Sequence, residues 1–237
     1  MTFDPFFFMK GIQGKLGGSQ SGQSQQQVAF LRQLQREMRV EETLNIPLTD
    51  LNVIVFDIET TGFYPEQGDQ IISIGAIKVK GNKINENETF YSLVRSDKLL
   101  TDEISQLTGL YDTQLQQAPP LSEVLFQFFQ FAQDYTLVAH HANHEKIFLQ
   151  HASWKLYRAP FKHRLVDMSF LYRIAEPDVK LITLEECCEH NGIPIIGRHH
   201  ALEDAKLTAQ LWSIYVNKLN QRGCESLKDL YERLTKA

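Results

Sequence analysis

The sequence predicts a mixed α/β fold in which one sheet is flanked by helices. Residues 53–58 form a run rich in β-branched side chains that is apolar except for Asp57, which is typical of a strand buried on both faces. Two further strands are predicted at residues 71–80 and 89–95, joined by the polar turn region 81–88. Helical and strand patterns alternate along the rest of the chain, and this order indicates a mixed sheet covered by helices.

The second half of the chain supplies most of the predicted helices. Apolar side chains within residues 121–132 recur at helical spacing, which predicts an amphipathic helix after two prolines. A short buried strand is predicted at residues 135–139. The remaining helices are predicted at residues 144–157, 168–175, 183–191, 201–221 and 225–235.

The N-terminal part of the chain differs in composition from the rest. Residues 17–27 contain only Gly, Ser and Gln, which predicts a flexible linker, and residues 27–43 predict an amphipathic helix. That helix either packs on its own domain or docks on a partner. The aromatic cluster at residues 6–9 is either a docking peptide for a protein partner or a segment folded back on the domain. The predicted division is an N-terminal tail with linker and helix, a main domain and a C-terminal helix, at residues 1–49, 50–222 and 223–237.

The composition excludes several classes of protein. The 237 residues contain no run of 18 apolar side chains, so neither a membrane-spanning helix nor a membrane partner is expected. Three cysteines cannot build a disulfide framework, which favours a reducing, intracellular (cytoplasmic) location. The net charge of −5 argues against binding nucleic acid by bulk charge alone. It leaves open an enzyme whose carboxylates are neutralised by metal.

Two carboxylates end the first predicted strand. Asp57 and Glu59 are two residues apart, so both project from the same face of the strand. Carboxylates at neighbouring sites repel each other unless a cation lies between them or one of them is protonated. A hard divalent cation with oxygen ligands is the natural partner. Taken alone, the tripeptide Asp57-Ile-Glu59 is also typical of a strand end that is exposed to solvent.

Two further groups of residues strengthen the prediction of a metal site. Glu145 follows the predicted strand at residues 135–139, at the start of a helix. Asp204 lies one turn into a later predicted helix, after the adjacent His199 and His200. The sequence therefore supplies four carboxylates and a histidine at the ends of predicted elements.

The motifs Asp57-Ile-Glu-Thr-Thr-Gly62 and His199-His-Ala-Leu-Glu-Asp-Ala205 resemble the DnaQ-like family of 3′–5′ exonucleases. More narrowly, they are similar to the branch with four acids and one histidine (DEDDh), found in bacterial DNA polymerase III epsilon subunits and PolC-type exonuclease domains. The resemblance covers residues 50–220 and implies an RNase H-like fold with a mixed five-stranded sheet. It also implies that residues 165–168 lead from a strand into a helix, and that residues 103–110 line a nucleotide pocket.

The resemblance implies a metal site and a general base. Two divalent cations, Mg²⁺ or Mn²⁺, are expected about 3.5–4 Å apart. Asp57 is expected to bridge them, while Glu59, Glu145 and Asp204 complete the ligand set. His199 is the expected general base, and its neighbour His200 is the alternative.

The resemblance also implies the reaction and the substrate. Nucleoside 5′-monophosphates are released one at a time from a free 3′ end, and single-stranded DNA is favoured by analogy with polymerase-associated members. RNA remains the alternative substrate. The expected substrate-binding residues are Thr60, Thr61, Gly62, Phe63, Glu103 and Thr108.

One residue departs from the family pattern. The family has Asp at the second motif, where this chain has Glu145, whose carboxylate extends one methylene further. A misplacement of about 1 Å can lower a catalytic rate on the order of a hundredfold. A catalytically weakened, nucleic-acid-binding module is therefore the alternative function.

Basic side chains are concentrated in residues 146–173, which contain six Lys or Arg and one acid. This stretch predicts either a track for a single-stranded backbone or an ordinary solvated face. The six are Lys146, Lys155, Arg158, Lys162, Arg164 and Arg173.

Overall fold

The computed structural model describes residues 20–38 and 42–236, which contain a five-stranded sheet with the order β3-β2-β1-β4-β5. The first three strands are antiparallel neighbours, and β4 and β5 run parallel to β1. The predicted mixed five-stranded sheet is thus confirmed. Its strands are β1 (Asn52–Thr60), β2 (Ile71–Lys80), β3 (Lys83–Leu93), β4 (Thr136–Ala139) and β5 (Leu165–Asp167).

The hairpin between β2 and β3 is tighter than the sequence predicts. β3 begins at Lys83, inside the polar stretch that the sequence assigns to a turn, and it pairs there with Lys80. The polar composition reflects the exposed edge position of β3, where side chains meet water while the backbone continues its ladder. The hydrogen bond of 3.1 Å from Lys78 to Glu88 also joins the two strands.

Helices cover both faces of the sheet. The face that carries Val53 and Val55 of β1 packs against α6 to α9, and the face that carries Ile54 and Phe56 packs against α1, α4 and α5. The helices are α1 (Gln20–Glu37), α2 (Asp102–Thr108), α3 (Asp112–Gln117), α4 (Leu121–Ala132), α5 (Asn143–Tyr157), α6 (Met168–Ala175), α7 (Leu184–His190), α8 (Ala201–Gln221) and α9 (Leu227–Leu234). Among the described residues, no helix has the length and apolar character needed to cross a membrane.

The N-terminal helix is longer at its start than the sequence predicts. α1 begins at Gln20, so the linker prediction is wrong for residues 20–27. Gln and Ser carry only a small helix penalty, and their composition therefore does not exclude a helix. Leu31 is buried against the domain, and Phe30 lies edge-on to Phe126 of α4 at 5.3 Å. The helix thus packs on its own domain, while the aromatic cluster at residues 6–9 lies outside the described residues.

Two short helices, α2 and α3, occupy the segment that the sequence left without secondary structure. The Thr101 side chain caps α2 by accepting a hydrogen bond from Ile104 N, and Gly109 ends it with a left-handed backbone. Ile104 packs beside Ile72 of β2, which places α2 at the end of the sheet where β1 finishes.

The C-terminal helix α9 belongs to the same core as α6 and α8. Leu227 and Leu230 are fully buried there, and a bridge between Pro47 and Ser226 ties the segment to the entry of β1. The division of the chain at residues 49 and 222 stays a prediction.

The first turn of α8 lies directly on β2 at Gly75. A Cβ atom added at Gly75 would lie 2.1 Å from Leu202 N and 2.3 Å from the Ala201 carbonyl carbon. No side chain fits between the two backbones, so only glycine allows this approach. Gly75 is also the residue that pairs with Asp57 on β1, and the contact therefore fixes α8 beside Asp57.

The Gly75→Ala variant should be destabilised, because the methyl group must displace α8 from the sheet. Overpacking of this kind costs about 1–3 kcal/mol, and urea denaturation measures it. Ser73→Ala is the matched control on the same strand, since the buried Ser73 hydroxyl has no described hydrogen-bond partner. It should change the unfolding free energy by less than about 1 kcal/mol. Equal effects of the two variants would contradict the role given to Gly75.

Candidate active site

Three carboxylates converge where β1 meets the first turn of α8. Asp57 and Glu59 share the face of Val53 and Val55, which looks toward α8 because side chains alternate along a strand. Asp204 comes from the first turn of α8. One oxygen of each of these three carboxylates lies within 4.8 Å of the others.

The fourth predicted ligand, Glu145, lies beside this cluster. It belongs to the first turn of α5, which follows β4, the parallel neighbour of β1. Its side chain is buried, with 4% of the residue exposed, and its Oε2 atom has no described hydrogen-bond partner. Glu145 is not part of the group within 4.8 Å, but its charge acts on Asp57.

The surroundings of Asp57 disfavour its ionised form. Burial raises its pKa well above the usual range, and the nearby charge of Glu145 raises it further. Glu59 and Asp204 act in the same direction, whereas the Arg198 guanidinium opposes them. The protein therefore holds Asp57 in a position where a negative charge is disfavoured unless a cation is present.

Glu59 and Glu145 also have raised pKa values, for the same reasons of burial and repulsion between carboxylates. Burial, followed by the charge of Asp204, raises the pKa of Glu59 to about 7. Burial also raises the pKa of Glu145 to about 8, with further contributions from the charges of Asp167 and Glu59. The hydrogen bond that Glu145 accepts from its own backbone partly offsets this increase.

Arg198 is a member of the site that the sequence analysis missed. Its Nη1 donates to Asp204 Oδ2, and its Nε donates to Glu185 Oε1 at 2.7 Å. In the sequence, Arg198 directly precedes His199 and His200, and it is close to the predicted ligand Asp204. This proximity could have identified Arg198 as a member of the site. One guanidinium cannot neutralise four carboxylates.

The arrangement fits divalent cations. All four side chains offer oxygen atoms, the donor that hard cations prefer. Asp204 Oδ1 and Glu145 Oε2 are buried and lack a described hydrogen-bond partner, a costly state for a carboxylate unless a cation approaches.

The two histidines before α8 have different environments. His200 is the N-cap residue of α8, and its ring stacks on Tyr91 with the centroids 4.4 Å apart. The backbone N–H of His199 donates to Asp204 Oδ2 at 3.1 Å, and its backbone is left-handed, with φ 60°. The His199 ring makes no hydrogen bond or ring contact with the described residues, which leaves it available to a substrate or water.

The predicted substrate loop is held in place by Asp69. Thr61 N–H donates to Gln70 O at 2.9 Å, so this N–H is already paired. A Cβ atom at Gly62 would lie 2.3 Å from Asp69 Oδ2, so a larger residue here would have to displace the Asp69 carboxylate. The Gly62 N–H has no described partner, and Phe63 is 75% exposed.

Thr60 connects the loop to α5. Its hydroxyl donates to Gly62 O at 2.6 Å and therefore accepts from His144 Nε2 at 3.3 Å. The His144 ring also meets Phe63 edge-on, with the centroids 5.7 Å apart. His144 thus positions the residues that follow β1.

The last two predicted substrate residues lie on α2. Glu103 is exposed in its first turn, and the Thr108 hydroxyl donates to Ile104 O at 2.8 Å. Among the described residues, no hydrogen bond or ion pair joins them to the four carboxylates, although α2 borders the same end of the sheet.

The basic residues at 146–173 belong to different elements of the fold. Arg164 Nε donates to Thr43 at 3.1 Å, and Arg164 also bonds to Tyr231 of α9. Lys155 instead lies on α5, on the other side of the sheet. Arg164 and Lys155 therefore contact different parts of the domain, and a track for a single-stranded backbone along this stretch stays a prediction.

This combination of fold and site defines a class of protein. A mixed five-stranded sheet with acids at the end of β1 and in a helix packed on it is the RNase H-like architecture of metal-dependent nucleases. Residues 54–212 match the exonuclease family (RNase_T), and the chain belongs to that family. The predicted resemblance to this family is confirmed.

Known relatives agree with the assignment. The chain is 34% identical over 177 residues to a PolC-type DNA polymerase III from Caldanaerobacter subterraneus subsp. tengcongensis, covering 75% of this chain and 12% of the relative. It is 35% identical over 178 residues to the 3′-5′ exonuclease DinG from Staphylococcus haemolyticus, covering 75% and 19%. The chain thus spans less than a fifth of these curated relatives.

Solved structures share the fold. The nuclease domain of 3′hExo, a DEDDh family member bound to rAMP, superposes with a TM-score of 0.62 and 22% identity, covering 74% of this chain and 94% of that domain. Exonuclease X in complex with 5′ overhanging duplex DNA gives a TM-score of 0.56 and 20% identity, with coverage of 76% and 98%.

The metal-free protein should lose stability as the pH rises. The unfolded carboxyl groups release their protons near pH 4.5, whereas folded Glu59 and Glu145 keep theirs until about pH 7 and 8. The buried rings of His140 and His163 have a pKa of about 4 in the folded state and oppose this effect up to about pH 6.5. Above that pH the folded carboxyl groups still hold their extra protons, so the stability of the folded state falls from about pH 6.5 to pH 8. Differential scanning fluorimetry in EDTA should show this fall, and added Mg²⁺ should raise the melting temperature at pH 8.

The isosteric Asp57→Asn variant should reverse part of this loss. Removing one charge from the cluster should raise the melting temperature in EDTA at pH 8 by several degrees, since about 1 kcal/mol corresponds to about 2–4 °C in a chain of this size. The variant should also lose most of the stabilisation by Mg²⁺. An unchanged melting temperature in EDTA would show that the repulsion is absent.

Proposed function

We propose that this protein is a metal-dependent 3′–5′ exonuclease that releases nucleoside 5′-monophosphates from the 3′ end of nucleic acid. The observation that carries the proposal is the convergence of Asp57, Glu59 and Asp204 beside the buried Glu145. Membership of the exonuclease family supports it. Because the chain spans 12% and 19% of the two relatives, their other activities are not transferred.

Two divalent cations, Mg²⁺ or Mn²⁺, are the proposed cofactors, held by Asp57, Glu59, Glu145 and Asp204. When bound, such cations stabilise negative charge on the attacked phosphate and on the leaving oxygen. All four ligands are carboxylates and offer only oxygen donors. Such a set favours Mg²⁺ or Mn²⁺ over Zn²⁺, which prefers sites with nitrogen and sulfur ligands.

His199 is the proposed general base. In this role it accepts the proton of the water that attacks the terminal phosphodiester, and the 3′ oxygen of the next nucleotide leaves. The hydrogen bond from its backbone N–H to Asp204 ties the position of His199 to the carboxylate cluster. His200 is the weaker candidate, because its ring is stacked on Tyr91.

The terminal nucleotide is proposed to bind over the loop that follows β1. Gly62 offers its backbone N–H, and the exposed ring of Phe63 offers a stacking surface for a base. Thr60 and Thr61 are proposed to support this loop instead of contacting the nucleotide directly. Thr60 does so through its hydrogen bond with His144, and Thr61 through the hydrogen bond from its N–H to Gln70 O. Glu103 and Thr108 on α2 are proposed to border the same nucleotide.

Single-stranded DNA is the favoured substrate, with RNA as the alternative. The curated relatives include a DNA polymerase, which supports DNA. Among the fold neighbours, Exonuclease I was solved with a dT13 oligonucleotide and the 3′hExo domain with rAMP. A protein partner bound through residues 1–19 stays a proposal. An intracellular, reducing location is also a proposal, supported by three free, buried cysteines.

Purified protein should shorten 5′-labelled single-stranded oligonucleotides from the 3′ end in Mg²⁺ or Mn²⁺, with EDTA abolishing the reaction. The His199→Asn variant should lower kcat at least about a hundredfold, because a general base contributes about 10²–10⁴-fold. His200→Asn is the matched control and should retain most of the activity. Binding without cleavage by the wild type in both metals would instead indicate a nucleic-acid-binding module.

The Glu145→Asp variant tests the departure from the family pattern. Shortening the side chain by one methylene should withdraw the carboxylate from the buried position it now occupies, and kcat/KM should fall by up to about a hundredfold. Glu145→Gln keeps the length and removes the charge, and it should also be impaired. A large rate gain in Glu145→Asp would show that the native site is detuned.

A further inference from the structure

A small cavity lies between the second half of α5 and the loop that joins β1 to β2. Its volume is about 220 Å³. The side chains of Phe148 and Ile71 supply apolar wall, and the charged or titratable side chains that line the cavity are Asp69, Arg95, His151 and Lys155. Three of these four side chains are basic.

The one carboxylate in the cavity wall is already neutralised. Asp69 accepts hydrogen bonds from Lys98 Nζ, from Tyr64 N at 2.9 Å and from Thr61 Oγ1 at 3.3 Å. The Lys98 hydrogen bond is the largest cause that holds the pKa of Asp69 below its usual range. Asp69 therefore stabilises the β1–β2 loop, and its negative charge is neutralised by Lys98, which does not line the cavity.

The basic side chains have no such compensation. Arg95 Nε donates to the Ala118 carbonyl at 3.1 Å, which orients the guanidinium and leaves its other N–H groups available. Within residues 20–38 and 42–236, neither Arg95 nor Lys155 forms a salt bridge, and His151 has no hydrogen-bond partner. A concave surface lined by unpaired basic groups attracts anions.

One face of α5 connects this cavity to the catalytic carboxylates. His144, Phe148, His151 and Lys155 follow at spacings of four, three and four, so they lie along one side of the helix. The His144 ring touches both Phe63 of the substrate loop and Phe148 of the cavity, at centroid distances of 5.7 and 4.8 Å. At about 1.5 Å per residue, His151 and Lys155 lie about 9–15 Å along α5 from Glu145.

We propose that this cavity binds a backbone phosphate of the substrate strand, on the 5′ side of the scissile bond. The proposal rests on the proposed exonuclease function: because the 3′ end is consumed at the carboxylates, only upstream nucleotides can reach the cavity. If the strand keeps the stacked, duplex-like rise of about 3.4 Å per nucleotide, the separation corresponds to about three to four nucleotides. Small-molecule sites measure about 300–1,000 Å³, so the cavity suits a phosphate group better than a whole nucleotide.

The test compares a long and a short substrate. The Arg95→Gln/Lys155→Gln double variant should raise KM for the oligonucleotide dT12 about tenfold. The dinucleotide dT2 is too short to reach the cavity, and its kcat/KM should change less than twofold. In EDTA, fluorescence anisotropy should show dT12 binding that is weaker in the variant. The slope of log Kd against log salt concentration should fall by about 0.7, as expected for one lost phosphate contact on a single strand.

Lys80→Gln/Lys83→Gln is the matched control. It removes the same two positive charges from exposed residues that pair in the β2–β3 hairpin, at the opposite end of the sheet from the C-terminal end of β1. This variant should bind dT12 like the wild type. Unchanged dT12 affinity and salt slope in the double variant, or equal losses on dT2 and dT12, would overturn the proposal. Absence of cleavage by the wild type would refute the exonuclease function, whereas the binding data in EDTA still report whether the cavity holds the strand.

Discussion

The direct contact between the first turn of α8 and Gly75 is the constraint on which the carboxylate cluster depends. Gly75 pairs with Asp57 across the β1–β2 ladder, so the helix that rests on it arrives next to the end of β1. The short Asp204 side chain then lies close to Asp57 and Glu59, because the backbones of α8 and the sheet are already in contact. A bulkier residue at Gly75 would separate the two halves of the cluster while leaving each half intact.

This constraint forces like charges together in a buried place, and the protein compensates only in part. Arg198 binds Asp204 and Glu185, and it partly opposes the repulsion felt by Asp57. Such an arrangement lowers the stability of the unligated fold, because a buried charge needs a partner of opposite sign. In the proposed function the same imbalance is what would attract the cations, so stability and the proposed function are in opposition at this end of the sheet.

The sequence predicted the parts of the site that follow from local periodicity or from a complete motif. Asp57 and Glu59 had to share a face, since strand side chains alternate, and the His-His-Ala-Leu-Glu-Asp-Ala motif placed Asp204 one turn into α8. Arg198, Asp69 and Gly75 were not identified, because each acts through partners distant in the chain. The early start of α1 was missed for a different reason: polar residues of acceptable helix propensity look like a linker.

The separation of the acids along the chain has a consequence for folding. Asp57 lies in β1, near the start of the domain, whereas Asp204 enters only with α8. During synthesis the first two acids emerge long before the helix that completes the cluster, and contacts between such distant segments form slowly. A partly synthesised chain therefore carries an incomplete set of carboxylates, and the proposed metal site is complete only after the last long helix has docked on the sheet.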